Sequence, residues 1–447
     1  MNRVLLNTVP LDGGKVIIKG GSGGGGGSTP GGGGTTLVSP KAVNFRDYDG
    51  TVLYAYTKEE FLALRDLPPL PTREGLICQE WNWDYEDAID YVSEYGFLEV
   101  GATYITDDGK TRIYIHIEQN KPRSVILYFH QSKKDGVIVN WGDGSESQTV
   151  SSSGTNYISH TFKDSGDYCV TFEVMDGCSF SLKNSFNSSI IGSTHQENGY
   201  YLRSYIRGIE FGHGVTSIAN YSFNENDSIA KIVIPKGVTS IGNNAFYGCN
   251  ISSLVIPQGV KSISENSLPR VENISFPKSL ETIGGNALQN SFKLHAVIIP
   301  PNVTNIPESC CSRCFDASPI IVPKGVSDFG TSAFSYCQTI QSFVIPQGVT
   351  TLTRTFQNCV RLTSIIIPSS VTQIGEYTFY NSSGLKLIDF TSHSSIPTLK
   401  NYNAFSGIAS ACKIVVPDEL YDSWISATNW SNSNVASKIV KASEFNG

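Results

Sequence analysis

The sequence predicts a chain of mixed α+β and all-β modules dominated by a β-rich solenoid of short strands. Two observations carry that prediction. Prolines at 235, 257, 277, 300, 323, 346 and 368 recur with successive differences of 22, 20, 23, 23, 23 and 22, and a fixed period in that range marks a solenoid. Most are preceded by a β-branched run such as Ile232-Val233-Ile234 or Ile365-Ile366-Ile367, which suits a brief strand pairing with its copies above and below.

Within one unit each residue type has a task. Proline ends the strand because it has no N–H to give to a ladder. Gly237-Val238 then turns the chain, and Val238, Ile241, Ala245 and Phe246 point inward to fill a layer that no single unit buries alone. The same order returns after Pro257, Pro323, Pro346 and Pro368. This succession, spread over about half the chain, resembles the BspA-like class of leucine-rich repeats found in bacterial surface proteins and phage-encoded proteins. Ser309-Cys310-Cys311, Ser267-Leu268 and Ala287-Leu288 stand where the pattern expects Ala-Phe, so those layers are expected to pack differently.

Composition bounds the rest. At 447 residues with 16% charged residues and a net charge of -7, several modules are expected, and a mildly acidic surface does not attract phosphate backbones, so no nucleic acid partner is expected. No apolar run approaches the ~20 residues of a spanning helix. Met1–Pro10 lacks the apolar core of a secretory signal. Of ten cysteines, Cys249, Cys314 and Cys337 lie fourteen residues after their repeat's proline and Cys359 thirteen. They form one column of small buried side chains. Cys311 and Cys314 make a CxxC, but no second CxxC or HxxxH partner exists, so no metal and no cofactor is expected.

Taken in order, residues 1–42 read as an anchor segment followed by a Gly-rich linker, because the glycine run has no Gly-Lys-Ser/Thr ending for a phosphate loop. Residues 43–120 read as a small α+β module. Thr51–Tyr56 alternates as a strand, Thr57 with Glu60 forms a capping box, and Leu67–Pro71 breaks the helix it starts. Asp84–Tyr95 reads as a second helix burying Ala88, Tyr91 and Val92, with Asp84, Glu86, Asp87 and Asp90 solvated on its surface. Strands at Phe97–Ile105 and Thr111–Ile117 are expected to form a hairpin across Asp107-Asp108-Gly109. Val43–Gly50, Trp81-Asn82-Trp83 and Tyr104–Arg112 resemble a module common in gut-bacterial phage and prophage proteins, for which no activity is established.

Residues 121–182 read as a β-sandwich with strands at Ser124–Phe129, Gly136–Trp141 and Tyr168–Val174. Trp141-Gly142-Asp143-Gly144-Ser145, His160-Thr161-Phe162 and Gly166–Val170 resemble the signature of a polycystic-kidney-disease (PKD) type domain. Asp143 is read as a turn-stabilising residue, with calcium as the alternative, and His160 as structural. Residues 183–412 are the repeats, with Asn184–Asn198 as loop or N-terminal cap. Residues 413–447 are the C-terminal cap, in which Asp418 caps a helix through Tyr421 and Trp424.

No nucleophile elbow, metal-ligand histidine pair or catalytic carboxylate pair emerges, so no enzyme is expected. The resemblance implies a non-enzymatic binding protein. The first reading is a phage or prophage virion accessory, tail-fibre-like, whose N-terminal segment docks on a virion or other scaffold while the repeats meet a bacterial or host surface protein or glycan. The alternative is a bacterial cell-surface BspA-type adhesin, and a glycan hydrolase carrying accessory repeats ranks third. Tyr221, Tyr247, Tyr336, Tyr377 and Tyr380 are the candidate contact residues, read as exposed aromatics.

Overall fold

A computed structural model describes residues 40–182, 191–192 and 205–445. The glycine run and most of the expected N-terminal cap of the repeats lie outside them.

The chain is mostly β, with short strands and few helices. The first module is a four-stranded sheet of β1 (Val43–Arg46), β2 (Val52–Tyr56), β3 (Leu76–Trp81) and β4 (Leu98–Thr106) in the order β2-β1-β4-β3, carrying helices α1 (Lys58–Leu62) and α2 (Tyr85–Tyr95). Thr57 and Glu60 form the expected capping box. Asp84 caps α2 by accepting the Asp87 N–H, and Ala88, Tyr91 and Val92 are the buried stripe.

The expected hairpin across Gly109 does not form. The turn is there, with the Gly109 N–H donating to Thr106, but the strands on either side join different sheets. β4 stays in the module, whereas β5 (Thr111–Ile117) pairs antiparallel with a strand of the sandwich, Gly166–Val174, and with the first strand of the solenoid, Ile206–Glu210. The reason is burial: Ile113, Ile115 and Ile117 all sit in the sandwich core with Phe129, Trp141 and Phe172. The first solenoid strand therefore has a hydrogen-bonded neighbour on its outer side, and its edge is not offered to other chains.

From Ile206 onward the chain winds in coils with three sides. One side carries parallel strands such as Lys231–Val233, Ser253–Val255, Ser342–Val344 and Ser364–Ile366. A second carries two-residue strands such as Ser240–Ile241 and Ser262–Ile263, again parallel from coil to coil. The third is the Ala-Phe segment. Phe223 stacks on Phe246 at 5.4 Å, and Phe334, Phe356, Phe379 and Phe405 form a second stack with centroids 5.8–6.2 Å apart. Leu268, Leu288 and Cys311 interrupt the column, all fully or nearly buried, so those layers differ in filling and not in path. At the far end the strand Lys413–Val416 continues the parallel stack, and Trp424 and Trp430 close the core 5.4 Å apart. Asp418 does not cap a helix. The helix Tyr421–Ser426 has Leu420 at its N-cap, and Asp418 instead accepts the amide of Ser443.

The module is not a separate bead. Its β4 lies across the solenoid's long strands, so close that a Cβ on Gly101 would meet Val255 at 2.5 Å. Asn82, fully buried, donates to the Ile256 carbonyl and to Ser275 and accepts the Gly101 N–H. Trp83 Nε1 and Tyr91 Oη donate to the carbonyls of Phe276 and Ile299. Three lysines that follow anchor prolines, Lys236, Lys278 and Lys324, pair with Glu80, Asp87 and Glu94. Asp87 is therefore an interface residue and not a solvated charge, while Asp84, Glu86 and Asp90 are exposed. In the outward-facing column of the long strands, Val233, Val255, Ser275 and Ile298 are buried beneath the module, whereas Val344 and Ile366, past its edge, are 82% and 64% exposed.

A buried ion cluster joins all three parts. Glu210, on the first solenoid strand, accepts from Lys231 at 2.5 Å and from Tyr114 at 2.9 Å and approaches Arg112, while Lys231 lies over the ring of Tyr48. Burial of such charges is tolerated only because each is paired.

Candidate functional site

The Ala-Phe side of the coils is held by a backbone ladder, and the ladder dictates what the surface displays. In most coils the residue two before the Phe position and the one two after it adopt a left-handed backbone, with φ from +52° to +65° for Asn244, Asn266, Asn286, Asn290, Asn358 and Asn381. Their N–H groups donate to the next coil: Asn244 to Glu265, Asn290 to Ser312, Asn358 to Tyr380. Asparagine recurs there because it tolerates this conformation better than other side-chain-bearing residues. Other residue types stand there at Tyr221, Glu225 and Tyr377, and without interruption between Ser309 and Arg354. Ser309, Arg313, Ser332, Tyr336 and Arg354 occupy five successive ladder positions with φ from +52° to +62°.

These five side chains, with Gln289, Asn290, Ser312, Ser335 and Gln357, line one shallow depression of about 450 Å³ that contains no aliphatic residue. The Arg313 guanidinium lies 5.4 Å from the Tyr336 ring centroid, and Arg354 lies 5.1 Å from that of Tyr377, as flat, weakly hydrated guanidiniums do over aromatic faces. Arg354 approaches Glu376 at 4.0 Å, with both side chains about half exposed. Arg313 pairs with no carboxylate among the described residues.

All five candidate tyrosines lie on this ladder side, but only Tyr247 is exposed. Tyr221, Tyr336, Tyr377 and Tyr380 are half-buried. The expectation of exposed rings is corrected for those four. The left-handed backbone puts Tyr221, Tyr336 and Tyr377 on the ladder itself, and arginines cross the last two. Tyr377 and Tyr380 meet edge to face at 5.2 Å, while Tyr221 and Tyr247 sit in the first coils, away from the other three. Sequence reasoning passed over Ser309, Arg313, Ser332 and Arg354. The signal was present: aligned on the anchor proline, they stand where other coils carry Asn.

Beneath the ladder runs the cysteine column. Cys249, Cys314, Cys337 and Cys359 are buried, and each thiol donates to a carbonyl of the preceding coil at 3.0–3.3 Å. Ser382 takes the equivalent place and donates to Phe356 at 2.6 Å. Burial pushes the Cys337 thiol up to about 12 and raises Cys249, Cys314 and Cys359 as well, so these groups stay protonated donors and are poor nucleophiles. Among the described residues no group of three or more His, Cys, Asp or Glu is arranged to hold a metal ion.

Besides Glu210, the carboxylates of Asp47, fully buried, and Asp143, partly buried, have their oxygens engaged. Asp47 accepts from Tyr104, the Tyr48 N–H and Arg73. Asp143 accepts the Ser145 N–H and hydroxyl on one oxygen and meets His160 Nε2 at 2.6 Å on the other, with His160 stacked on Trp141. Burial pushes the Asp143 carboxyl upward, but the Ser145 hydroxyl, His160 and the Ser145 amide outweigh it and hold the group at about 2. A depressed carboxyl contributes stability above its unfolded value near 3.9 and loses it as pH falls toward the folded value. Stability of the full chain against urea is therefore expected to fall as pH drops from about 4 to about 2, by at most about 2 kcal/mol from this partly solvated group. The Asp143→Asn variant should lack that part of the slope.

No helix among the described residues is long and apolar enough to cross a membrane. No curated protein matches the chain. Solved structures similar to it include a leucine-rich repeat protein from Bacteroides ovatus, 20% identical with a TM-score of 0.38 over 60% of this chain and 79% of that one. A leucine-rich cell surface protein from Faecalibacterium prausnitzii is 18% identical, with a TM-score of 0.28 over 53% and 90%. A leucine-rich repeat protein from T. pallidum is 21% identical, with a TM-score of 0.30 over 40% and 83%. The BspA type leucine rich repeat region matches in six copies across residues 193–316, 269–355 and 351–441, and with more than half its length so matched the chain belongs to the BspA-type leucine-rich repeat family.

Proposed function

We propose that this is a non-enzymatic binding protein displayed at a bacterial cell surface, with the ladder side of its repeats as the contact face. The observation that carries the proposal is the ladder itself, which sets side chains at a fixed spacing along an extended, rigid edge. That arrangement provides area for a macromolecule and gives no convergence of groups on a reacting atom. Membership of the BspA-type family supports cell-surface display over attachment to a virion. The virion reading uses the same face and differs in what carries it. A PKD-type assignment for the sandwich, which spaces the module from the repeats in sequence, belongs to this proposal too.

The test is an array of host surface proteins and glycans probed with the full chain and with a Tyr336→Asn/Tyr377→Asn/Tyr380→Ala variant. Asparagine is chosen where the backbone is left-handed, so that folding is retained. Binding by the parent and its loss in the variant is the expected result, and equal binding by both would remove the ladder face from the account. Surface labelling of intact cells, compared with purified particles, separates the two modes of display.

A further inference from the structure

Resting on that reading, we infer that the depression around Arg313, Tyr336 and Arg354 is a binding site for a sugar ring bearing a carboxylate. Three independent features of the same residues converge on it.

The first is conformational. A left-handed backbone is costly for most side-chain-bearing residues, less so for Asn and not for Gly. Elsewhere the ladder mostly meets that cost with Asn or Gly, as at Asn244, Asn266, Asn286, Gly248 and Gly407, and departs from them at Tyr221, Glu225 and Tyr377. Only Ser309, Arg313, Ser332, Tyr336 and Arg354 form an unbroken run of five departures among the described ladder positions, and all five line the same depression. Strain that is concentrated and over-determined by surrounding hydrogen bonds points to side chains kept for what they do.

The second is charge. In a chain of net charge -7, Arg313 presents a guanidinium that no carboxylate among the described residues neutralises. It lies over the Tyr336 ring, 5.4 Å from the centroid, and its backbone N–H is tied to Ser335 at 2.8 Å. A guanidinium seated over a ring and unpaired with a carboxylate can meet an incoming carboxylate through two parallel hydrogen bonds. The third is the lining. Serine hydroxyls and the amides of Gln289 and Gln357 surround the cation, offering paired donors and acceptors of the kind ring hydroxyls satisfy. An acidic peptide would instead need an apolar recess for its side chains or a free strand edge, and the depression offers neither.

The experiment is calorimetric titration of the full chain with 3′-sialyllactose, an unsulfated glucuronic acid disaccharide, lactose and sodium acetate. Binding of either acidic sugar, with lactose and acetate weaker by about tenfold or more, is expected. The two acidic probes tell a sialic acid source from a uronic acid source. Arg313→Asn, which places at this position the residue that Asn290 and Asn358 supply in other coils, should fold like the parent and weaken the acidic sugar about tenfold while leaving lactose unchanged. Arg270→Ala, which removes the cation over Phe292 outside the depression, should change nothing. The proposal is overturned if neither acidic sugar binds at millimolar concentration, if lactose or acetate binds as well, or if Arg313→Asn binds like the parent. If Arg313→Asn keeps full array binding while the tyrosine variant loses it, the contact face stands and this ligand class fails.

Discussion

Phe356→Ala is expected to cost about 3–5 kcal/mol and to unfold the C-terminal coils ahead of the rest. Phe356 is fully buried, stacks on Phe334 at 6.2 Å and Phe379 at 5.9 Å, and meets Phe343 edge-on at 4.9 Å. Removing the ring takes away apolar burial and leaves a cavity between rigid coils that cannot collapse onto one another, because backbone bonds such as Phe356 N–H to Thr378 fix their separation. In a solenoid each coil contacts its neighbours only, so the loss is not shared along the stack. The coils from Pro346 onward have no module over their long strands, whereas the earlier ones do. Urea unfolding of the variant should therefore split into two phases, with the Trp424 and Trp430 end melting first. Hydrogen exchange would show amides after Val344 losing protection while those in the sandwich keep it. A single unshifted transition would contradict this account of the core.

Asn82→Ala is the second large effect, at about 2–4 kcal/mol. The side chain is fully buried and makes bonds on both sides of the interface, to Ile256 and Ser275 in the solenoid and to Gly101 in the module. Alanine leaves a buried N–H and buried carbonyls without that partner, and each such orphan carries its full desolvation penalty. The expected readout is limited proteolysis: the variant should be cut between the module and the sandwich at protease levels that leave the parent intact. Glu94→Gln is the control. Its pair with Lys324 is exposed, and exposed pairs contribute about 0–1 kcal/mol.

These two sites differ in how far the sequence announced them. The Phe column is written in the period itself: the anchor prolines fix the register, and Phe246, Phe334, Phe356 and Phe379 follow at nearly constant offsets. Asn82 carries no such mark. A polar residue between two tryptophans reads locally as surface, and its partners lie 174 and 193 residues away. The hairpin at Gly109 fails for the same reason. Asp107-Asp108-Gly109 specifies a turn, but which sheet receives β5 is decided by Ile113, Ile115 and Ile117 packing against a core built from later sequence. Asp87 reads as solvated from its own helix, whereas Lys278 reaches it from the repeats.

The candidate site lies between these extremes. Its tyrosines were visible as a class of residue, and their shared side follows from the repeat. What a reading of side chains alone does not give is the left-handed backbone, which explains why Asn recurs at two places per coil and why Arg, Ser and Tyr at those places stand out.

The central claim is that the ladder side, centred on the coils from Ser309 to Tyr380, is the surface that meets a partner. Hydroxyl-radical footprinting of the full chain, free and bound to whichever array ligand it captures, tests this directly. The account predicts that Tyr336, Tyr377 and Tyr380 are labelled in the free chain and shielded in the complex, with Tyr157 in the sandwich unchanged. Shielding of Tyr157 or of the module, with the three ladder tyrosines labelled equally in both states, would contradict it.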